Sequence, residues 1–295
     1  MASSQLKAII DGFRSRPPLN LTIQESRAQF ERLTAILPLP PDVKVDLVDV
    51  NGVPAAWIRT ANSVEDKVLY FLHGGGYNTG SIKTHTEMVS RFCRVSGFRA
   101  LLIDYRLAPE HPFPAGLEDA LAAYRWLLGQ GIAPSRIIIA GDSAGGGLTL
   151  ATLVALRDAG DPLPTAAVCM SPWVDMEALG DSMQTNAATD PLIQREGILE
   201  MAAMYLGRAD PRNPLAAPLY ADPTGLPPLL IQAGGAETLQ SDSTRFADKA
   251  KAAGVDVTLE IWDEMIHVWQ VFAIMLPEGQ EAIERIAEFM RERVP

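Results

Sequence analysis

An α/β fold, with helices on both faces of a mostly parallel sheet, is what this sequence predicts. Three observations carry the prediction. Continuous apolar runs recur as "VLYFL", "ALLIDY", "RIIIAG", "AAVCMS" and "PLLIQAG". Runs without polar alternation belong to strands covered on both sides, the habit of parallel sheets. Helical stretches separate them, as crossover connections require. Finally, 295 residues with 47% hydrophobic and 21% charged side chains suffice for a large core in one α/β unit.

The elements follow in order. The first forty residues are helical and polar-amphipathic and end at the Pro-rich "LPLPP". Next, "DVKVDLVDVNGVPAAWIRT" alternates apolar and polar around Asn51-Gly52, a strong hairpin signal, so an antiparallel pair opens the sheet. The run "VLYFL" leads to "HGGGYNTG", and the helix "THTEMVSRFCRVSG" carries capping-box spacing at Thr84 and Glu87. The strand "RIIIAG" runs into "DSAGGG" and a nearly all-apolar helix. Between "CMSPWVD" and "PPLLIQ" lies an unusually long connection, 176–227, containing helical "REGILEMAAMYLG". A crossover of that length is expected to form a lid over the C-terminal ends of the strands. The last strand, "VTLEIW", alternates and is expected at the sheet edge, where it could pair with its copy in a homodimer.

Composition removes several function classes. A net charge of −11 without clustered Lys or Arg argues against nucleic acid and against an anionic membrane surface. No apolar run approaches the roughly 18 residues of a spanning helix. The opening "MASSQLKAIIDGFRSR" lacks the long apolar stretch of a secretory signal, so the cytoplasm is the expected location. Cys93 and Cys169 sit in apolar stretches and read as reduced, buried thiols.

Two glycine loops carry the chemistry. "GDSAG" fits G-x-S-x-G at Gly141, Ser143 and Gly145, set between an Ile-rich strand and a helix. That tight turn strains the central residue and projects its hydroxyl at the top of the sheet. Neither loop ends in the Gly-Lys-Ser/Thr of a phosphate-binding loop, and neither completes G-x-G-x-x-G. Acyl transfer fits better. When a serine attacks a carbonyl, charge grows on the oxygen, and each preorganised N–H donor is worth roughly 3–4 kcal/mol. Glycines at 74–76 can turn their amides toward that oxygen, and Ala144 supplies another.

A serine needs a positioned base. In the order serine, acid, histidine, only His267 qualifies, because His73, His85 and His111 all precede Ser143. For the acid, Glu237 and Asp242 compete in "GAETLQSDS". Glu237 directly follows the strand and is preferred, whereas Asp242 could cap the next helix. His73 is read as shaping the glycine loop. Asp104, Glu110 and His111 read as a rigid turn rather than a metal site, since no zinc-ligand spacing appears. Trp173, Trp262 and Trp269 read as packing, with Trp269 also a candidate wall of the site.

"HGGGY", "DYRLAPEHPFPAG", "GDSAGG", "SPWVD", "DPL" and "EMIHVW" together resemble the hormone-sensitive-lipase-like family of α/β-hydrolases, in its bacterial GDSAG branch. The resemblance runs from about residue 40 to the C-terminus. It implies the α/β-hydrolase fold with an eight-stranded sheet over 41–295. It also implies a cap built from 1–40 together with 176–214, and carboxylesterase activity on short acyl chains, with no metal or cofactor. Carried over residue by residue, Ser143 is the nucleophile, His267 the base, and Gly75, Gly76 and Ala144 the oxyanion donors. Relatives often carry "DPL" after the seventh strand with its aspartate as acid. Here Glu237-Thr238-Leu239 stand there, thirty residues before His267, and the separate "DPL" from Asp190 lies in the inserted segment. Their "HGF" is "HVW" here. The acyl pocket is expected to end at Met201, Met204 and Leu206. A non-catalytic receptor on the same fold is the rival from another class, disfavoured by the presence of His267. An amidase using the same triad stays open.

Overall fold

The computed structural model describes residues 3–15 and 21–295. Residues 1, 2 and 16–20, part of the expected 1–40 cap and of the stretch read as lacking a signal, lie outside the described residues. Two helices come first, α1 (Ser4–Arg14) and α2 (Ile23–Ala35). Ser3 caps α1, and a reciprocal Thr22–Glu25 capping box opens α2. The hairpin is β1 (Lys44–Val50) and β2 (Val53–Arg59). It turns at Asn51 and Gly52, whose φ values of 54° and 90° are those of the type I′ turn that matches strand twist.

The chain then alternates: β3 (Val64–Leu72), α3 (Ile82–Ser96), β4 (Phe98–Ile103), α4 (Ala115–Gly129), β5 (Ile137–Asp142), α5 (Ala144–Ala159) and β6 (Ala166–Met170). The long connection holds α6 (Ser182–Thr185) and α7 (Arg195–Leu206), and the chain closes with β7 (Leu229–Gly234), α8 (Gln240–Ala252), β8 (Val257–Trp262) and α9 (Pro277–Arg293). The eight strands form one sheet in the order β1-β2-β4-β3-β5-β6-β7-β8. β2 runs antiparallel to both neighbours, and every pair from β4 to β8 is parallel. β8 lies at the edge, as its alternation predicts. Strand order reverses about β3, which has β4 on one side and β5 on the other. The ends of β3 and β5 therefore meet at the switch point where α/β sheets open a crevice.

Pleating explains the all-apolar strands. Val68, Tyr70 and Leu72 of β3 point into one core with Leu117 and Tyr124 of α4 and Leu148 of α5. Leu69 and Phe71 point into another with Val89 and Phe92 of α3 and Ile283 of α9. Both cysteines are free and buried, and burial pushes the Cys93 thiol up to about 12. No helix among the described residues is long and apolar enough to cross a membrane.

The capping box on α3 is a correction. It is formed by Ser81 and Thr84, not by Thr84 and Glu87: the Thr84 amide donates to Ser81 Oγ at 3.4 Å, and the Ser81 amide donates to Thr84 Oγ1 at 2.8 Å. The helix starts one turn earlier because Asp104 Oδ1 accepts the Ile82 amide and fixes that end. Glu87 instead pairs with Arg91 one turn along, at 2.6 Å.

The two N-terminal helices reach the loops at the C-terminal edge of the sheet. Leu6 of α1 is fully buried among Met265, Ile266, Trp269 and Leu276. Arg27 of α2 donates through Nε to the Asn78 carbonyl (2.7 Å) and through Nη2 to the Ala108 carbonyl (2.8 Å), while also pairing with Glu110.

Candidate active site

Ser143 stands between β5 and α5 with φ 53° and ψ −120°, a conformation L-residues avoid. The turn is possible because its flanks carry no side chains. A Cβ at Gly145 would come 2.0 Å from the Leu72 carbonyl oxygen, and one at Gly141 would come 2.3 Å from that of Gly145. The Ser143 amide donates to the Met170 carbonyl, and the Ser143 carbonyl accepts from the Trp173 amide, so β6 and the loop after it hold the elbow from both sides.

His267 lies on the loop after β8, 6% exposed. Its Nε2 is 2.9 Å from Ser143 Oγ, and its Nδ1 is 2.7 Å from Glu237 Oε2. Glu237 is fully buried three residues past β7, and its Oε1 accepts the Gly234 amide at 3.1 Å. The inserted segment holds that loop in place. Asp190 Oδ2 accepts the Thr238 amide, and Asn186 Nδ2 donates to the Glu237 carbonyl. Burial alone would lower the His267 pKa; the hydrogen bond and charge of Glu237, with Asp190 and Asp142 behind it, outweigh burial and raise it above its ordinary value.

Asp242 faces elsewhere. Its Oδ2 accepts the amides of Val174 and Asp175, pinning the loop after β6 to the start of α8. Burial, with Asp175 nearby, pushes it up to about 7.

The glycine loop after β3 divides its amides. Gly74 donates to Asp142 Oδ1 at 3.0 Å, an approach only glycine allows, since a Cβ there would sit 2.2 Å from Asp142 Oδ2. Gly75 and Gly76 follow with φ 112° and 64°. Among the described residues no protein group accepts from the amides of Gly75, Gly76 or Ala144. His73 supports the loop from below: its Nδ1–H donates to the Gly74 carbonyl, its ring stacks on Tyr105 at 4.2 Å, and burial beside His85 lowers it to about 3, so it stays neutral. Asp142 pairs with His85 Nε2 at 3.3 Å; burial raises its carboxyl, but His85, His73 and the Gly74 amide outweigh burial and keep it below the ordinary range. Asp104 and Glu110 have separate partners, Ile82 and Arg27. Among the described residues no three His, Cys, Asp or Glu side chains are grouped as a metal site.

A cavity of about 1090 Å³ opens over Ser143 and His267. Ile9 and Phe13 of α1, Phe30 and Leu33 of α2, and Met201 and Met204 of α7 form apolar walls. Two expectations change here. Leu206 does not line the cavity but packs into the core, because it falls on the opposite face of α7 from Met201. Trp269 is fully buried beneath α1 beside Trp262, not in the wall, whereas Trp173 reaches the cavity lining.

Sequence reasoning missed one neighbour of the histidine. Ser171, directly after β6, is fully buried, and its Oγ accepts the Val268 amide at 3.1 Å.

A strained serine on a strand-to-helix elbow, a histidine after the last strand and a glycine-rich loop at the switch point are the marks of an α/β hydrolase. The family model for the alpha/beta hydrolase fold matches residues 69–271. A crystal structure of an esterase from the bacterial hormone-sensitive lipase family superposes with a TM-score of 0.97 at 52% identity over 100% of both chains. A structure of EstE5 soaked with p-nitrophenyl butyrate gives 0.95 at 48% identity over 99% of both. An acetyl-hydrolase of Streptomyces hygroscopicus is 48% identical over 255 residues, 86% of this chain and 84% of that protein. The chain belongs to the α/β-hydrolase fold family, in its bacterial hormone-sensitive-lipase branch, and is an enzyme of the serine-hydrolase class.

Proposed function

We propose that this hydrolase is a carboxylesterase acting on short-chain acyl esters through Ser143, His267 and Glu237. The relatives named esterase and acetyl-hydrolase support carboxylic ester hydrolysis. The observation that carries the finer reading is the continuous hydrogen-bonded line from Ser143 Oγ through both imidazole nitrogens to Glu237, 2.9 and 2.7 Å. In the reaction His267 Nε2 takes the hydroxyl proton as Oγ attacks the ester carbonyl. The amides of Gly75, Gly76 and Ala144, free of protein partners, receive the oxyanion. The alcohol leaves with the proton from His267, and water then repeats the sequence to release the acid. Glu237 keeps Nδ1 protonated, so Nε2 is the basic nitrogen, and offsets the charge of the imidazolium.

Short acyl groups fit the room beside the donors. Met201 lies so close over Gly76 that a Cβ there would be 2.2 Å from its Sδ, which limits depth on that side. A relative named acetyl-hydrolase, and the choice of p-nitrophenyl butyrate to soak the EstE5 crystal, are what support reading the substrates as short. Helices α1, α2 and α7, within 1–40 and 176–214, act as the cap. The test is a p-nitrophenyl ester series from acetyl to palmitoyl on the wild type and Ser143→Ala. Turnover peaking at short chains and lost by a factor on the order of 10⁶ in the variant is expected. Retained turnover in Ser143→Ala refutes the assignment.

A further inference from the structure

The loop bearing His267 is held in an unfavourable shape. Val268, the next residue, has φ 47°, a left-handed conformation that is an outlier for a β-branched side chain. Facing it, Ser171 has φ 45° and is also neither glycine nor asparagine. Such conformations persist only where the surroundings over-determine them. Here the two strained residues are joined to each other. The Val268 amide donates to Ser171 Oγ at 3.1 Å, and the Ser171 amide donates to the Gln232 carbonyl on β7 at 2.7 Å.

The link has no redundancy on that side. Ser171 is fully buried, so bulk solvent does not compete with its hydroxyl for the Val268 amide. Among the described residues the Val268 amide has no other acceptor. Beyond it the loop is tied again, but two residues further on: Gln270 Nε2 donates to Gln232 Oε1 at 2.9 Å. Glu237 fixes only the Nδ1 side of the imidazole. Before the histidine the loop is held at Met265, whose carbonyl accepts the Ala236 amide at 3.0 Å; directly after it, the direction in which the backbone leaves His267 is restrained at Val268.

We propose that Ser171 is a positioning residue for the hydrolytic reaction: its hydroxyl, by accepting the Val268 amide, holds His267 in line with Ser143. This rests on the reading of His267 as general base. Ser171 touches neither substrate nor the reacting atoms; it acts through the backbone of the histidine loop.

The informative variant is Ser171→Gly. Glycine adopts a left-handed φ freely, so the turn after β6 survives while the hydroxyl is lost. Ser171→Ala removes the same oxygen without easing the backbone and serves as the second variant. Both are assayed on p-nitrophenyl butyrate, with thermal unfolding followed in parallel. In Ser171→Gly we expect kcat to fall by roughly 10- to 100-fold, the scale of a small misplacement of a catalytic group, with KM within about twofold. Inactivation by a nitrophenyl phosphonate, which needs the histidine but no full acyl fit, slows by the same factor. Wild-type kcat in folded Ser171→Gly overturns the proposal, as does a loss confined to KM. If Ser171→Gly does not fold, a phosphonylation rate for folded Ser171→Ala equal to wild type overturns it equally. Failure of the general-base reading is separable, since it appears as unimpaired turnover in His267→Ala.

Discussion

Replacing Glu237 by Gln changes one oxygen to an amide and tests the whole line of hydrogen bonds. The carboxylate accepts on both sides, from His267 Nδ1 through Oε2 and from the Gly234 amide through Oε1, and it is fully buried. A glutamine can accept on one side only. If its oxygen faces Gly234, its NH₂ faces Nδ1, which must then become the unprotonated nitrogen. The proton moves to Nε2, and the histidine presents N–H instead of a lone pair to Ser143. If the amide is reversed, NH₂ meets the Gly234 N–H with two donors face to face and no water to separate them. Leaving a buried group unsatisfied costs about 1–3 kcal/mol, so the first arrangement dominates and the wrong tautomer follows. Loss of the correct tautomer costs about 10⁴ in kcat, close to 5 kcal/mol of transition-state stabilisation. The assay is steady-state hydrolysis of p-nitrophenyl butyrate by Glu237→Gln and by Asp242→Asn. The asparagine retains an oxygen for the Val174 and Asp175 amides, so neither buried donor is left unsatisfied and that variant should keep kcat within about tenfold. A Glu237→Gln enzyme within tenfold of wild type, or an Asp242→Asn enzyme that is dead while folded, would refute the reasoning.

Activity should fall on the acid side as His267 protonates, with the midpoint above the ordinary histidine value of about 6.5 because Glu237 holds the proton; a pH profile of kcat/KM checks this. Stability linked to the same group runs the other way. A pKa raised on folding adds stability that is complete below about 6.5 and is lost as pH rises through the folded value, so the contribution from this pair is smallest where the enzyme is most active. Arg27→Ala removes charge-assisted bonds to the Asn78 and Ala108 carbonyls, each worth roughly 1.5–3 kcal/mol before discounting for the partial exposure of the guanidinium. A lower melting temperature together with a lower kcat is expected, because the Asn78 amide donates to the carbonyl of Gly75, one of the proposed oxyanion donors. Met201→Ala should move the acyl-length optimum upward, since each additional buried methylene adds about 0.8 kcal/mol, or roughly fourfold in kcat/KM; an unchanged optimum places the limiting wall elsewhere.

What could be read from the chain divides along the range of the interaction that determines it. The parallel strands are legible because burial on both faces makes the run "IIIAG" of β5 free of polar side chains, and the Asn51-Gly52 turn is legible because its two positive φ values need those residue types. The serine elbow is local too: Gly141 and Gly145 are required within two residues of Ser143. The histidine follows by elimination from chain order. The acid does not separate as cleanly, because Glu237 and Asp242 are equally buried and five positions apart. One turns toward His267 and the other toward the loop after β6, and only the packing of α8 and Asp190 decides which. Leu206 and Trp269 went to the core for the same reason, since apolar residues on a helix or a turn do not say which neighbour they meet. Ser171 is the extreme case: its partner lies 97 positions away, and nothing in "MSPW" announces a contact with Val268.

The distribution of backbone strain shows what these distant contacts accomplish. Tyr77, Ser143, Ser171 and Val268 all have φ between 45° and 63°, and they belong to the loops after β3, β5, β6 and β8. Each such residue costs on the order of 1–3 kcal/mol. A chain free to relax would release that cost, and its hydroxyl, imidazole and amides would no longer converge. They are held by contacts from elsewhere in the chain: Arg27 of α2 on the glycine loop, Leu6 of α1 and, from the loop after β6, Ser171 on the histidine loop, and Asp190 of the inserted segment on the acid loop. The N-terminal helices and the inserted segment therefore do more than roof the cavity. Together with Ser171 they supply the restraint that, in the proposed mechanism, keeps a strained arrangement of donors and base in place before substrate arrives, the condition for electrostatic stabilisation without reorganisation at the moment of reaction. Removing that restraint should depress kcat before it depresses binding, and the Ser171 and Arg27 variants measure the effect from opposite sides of the crevice.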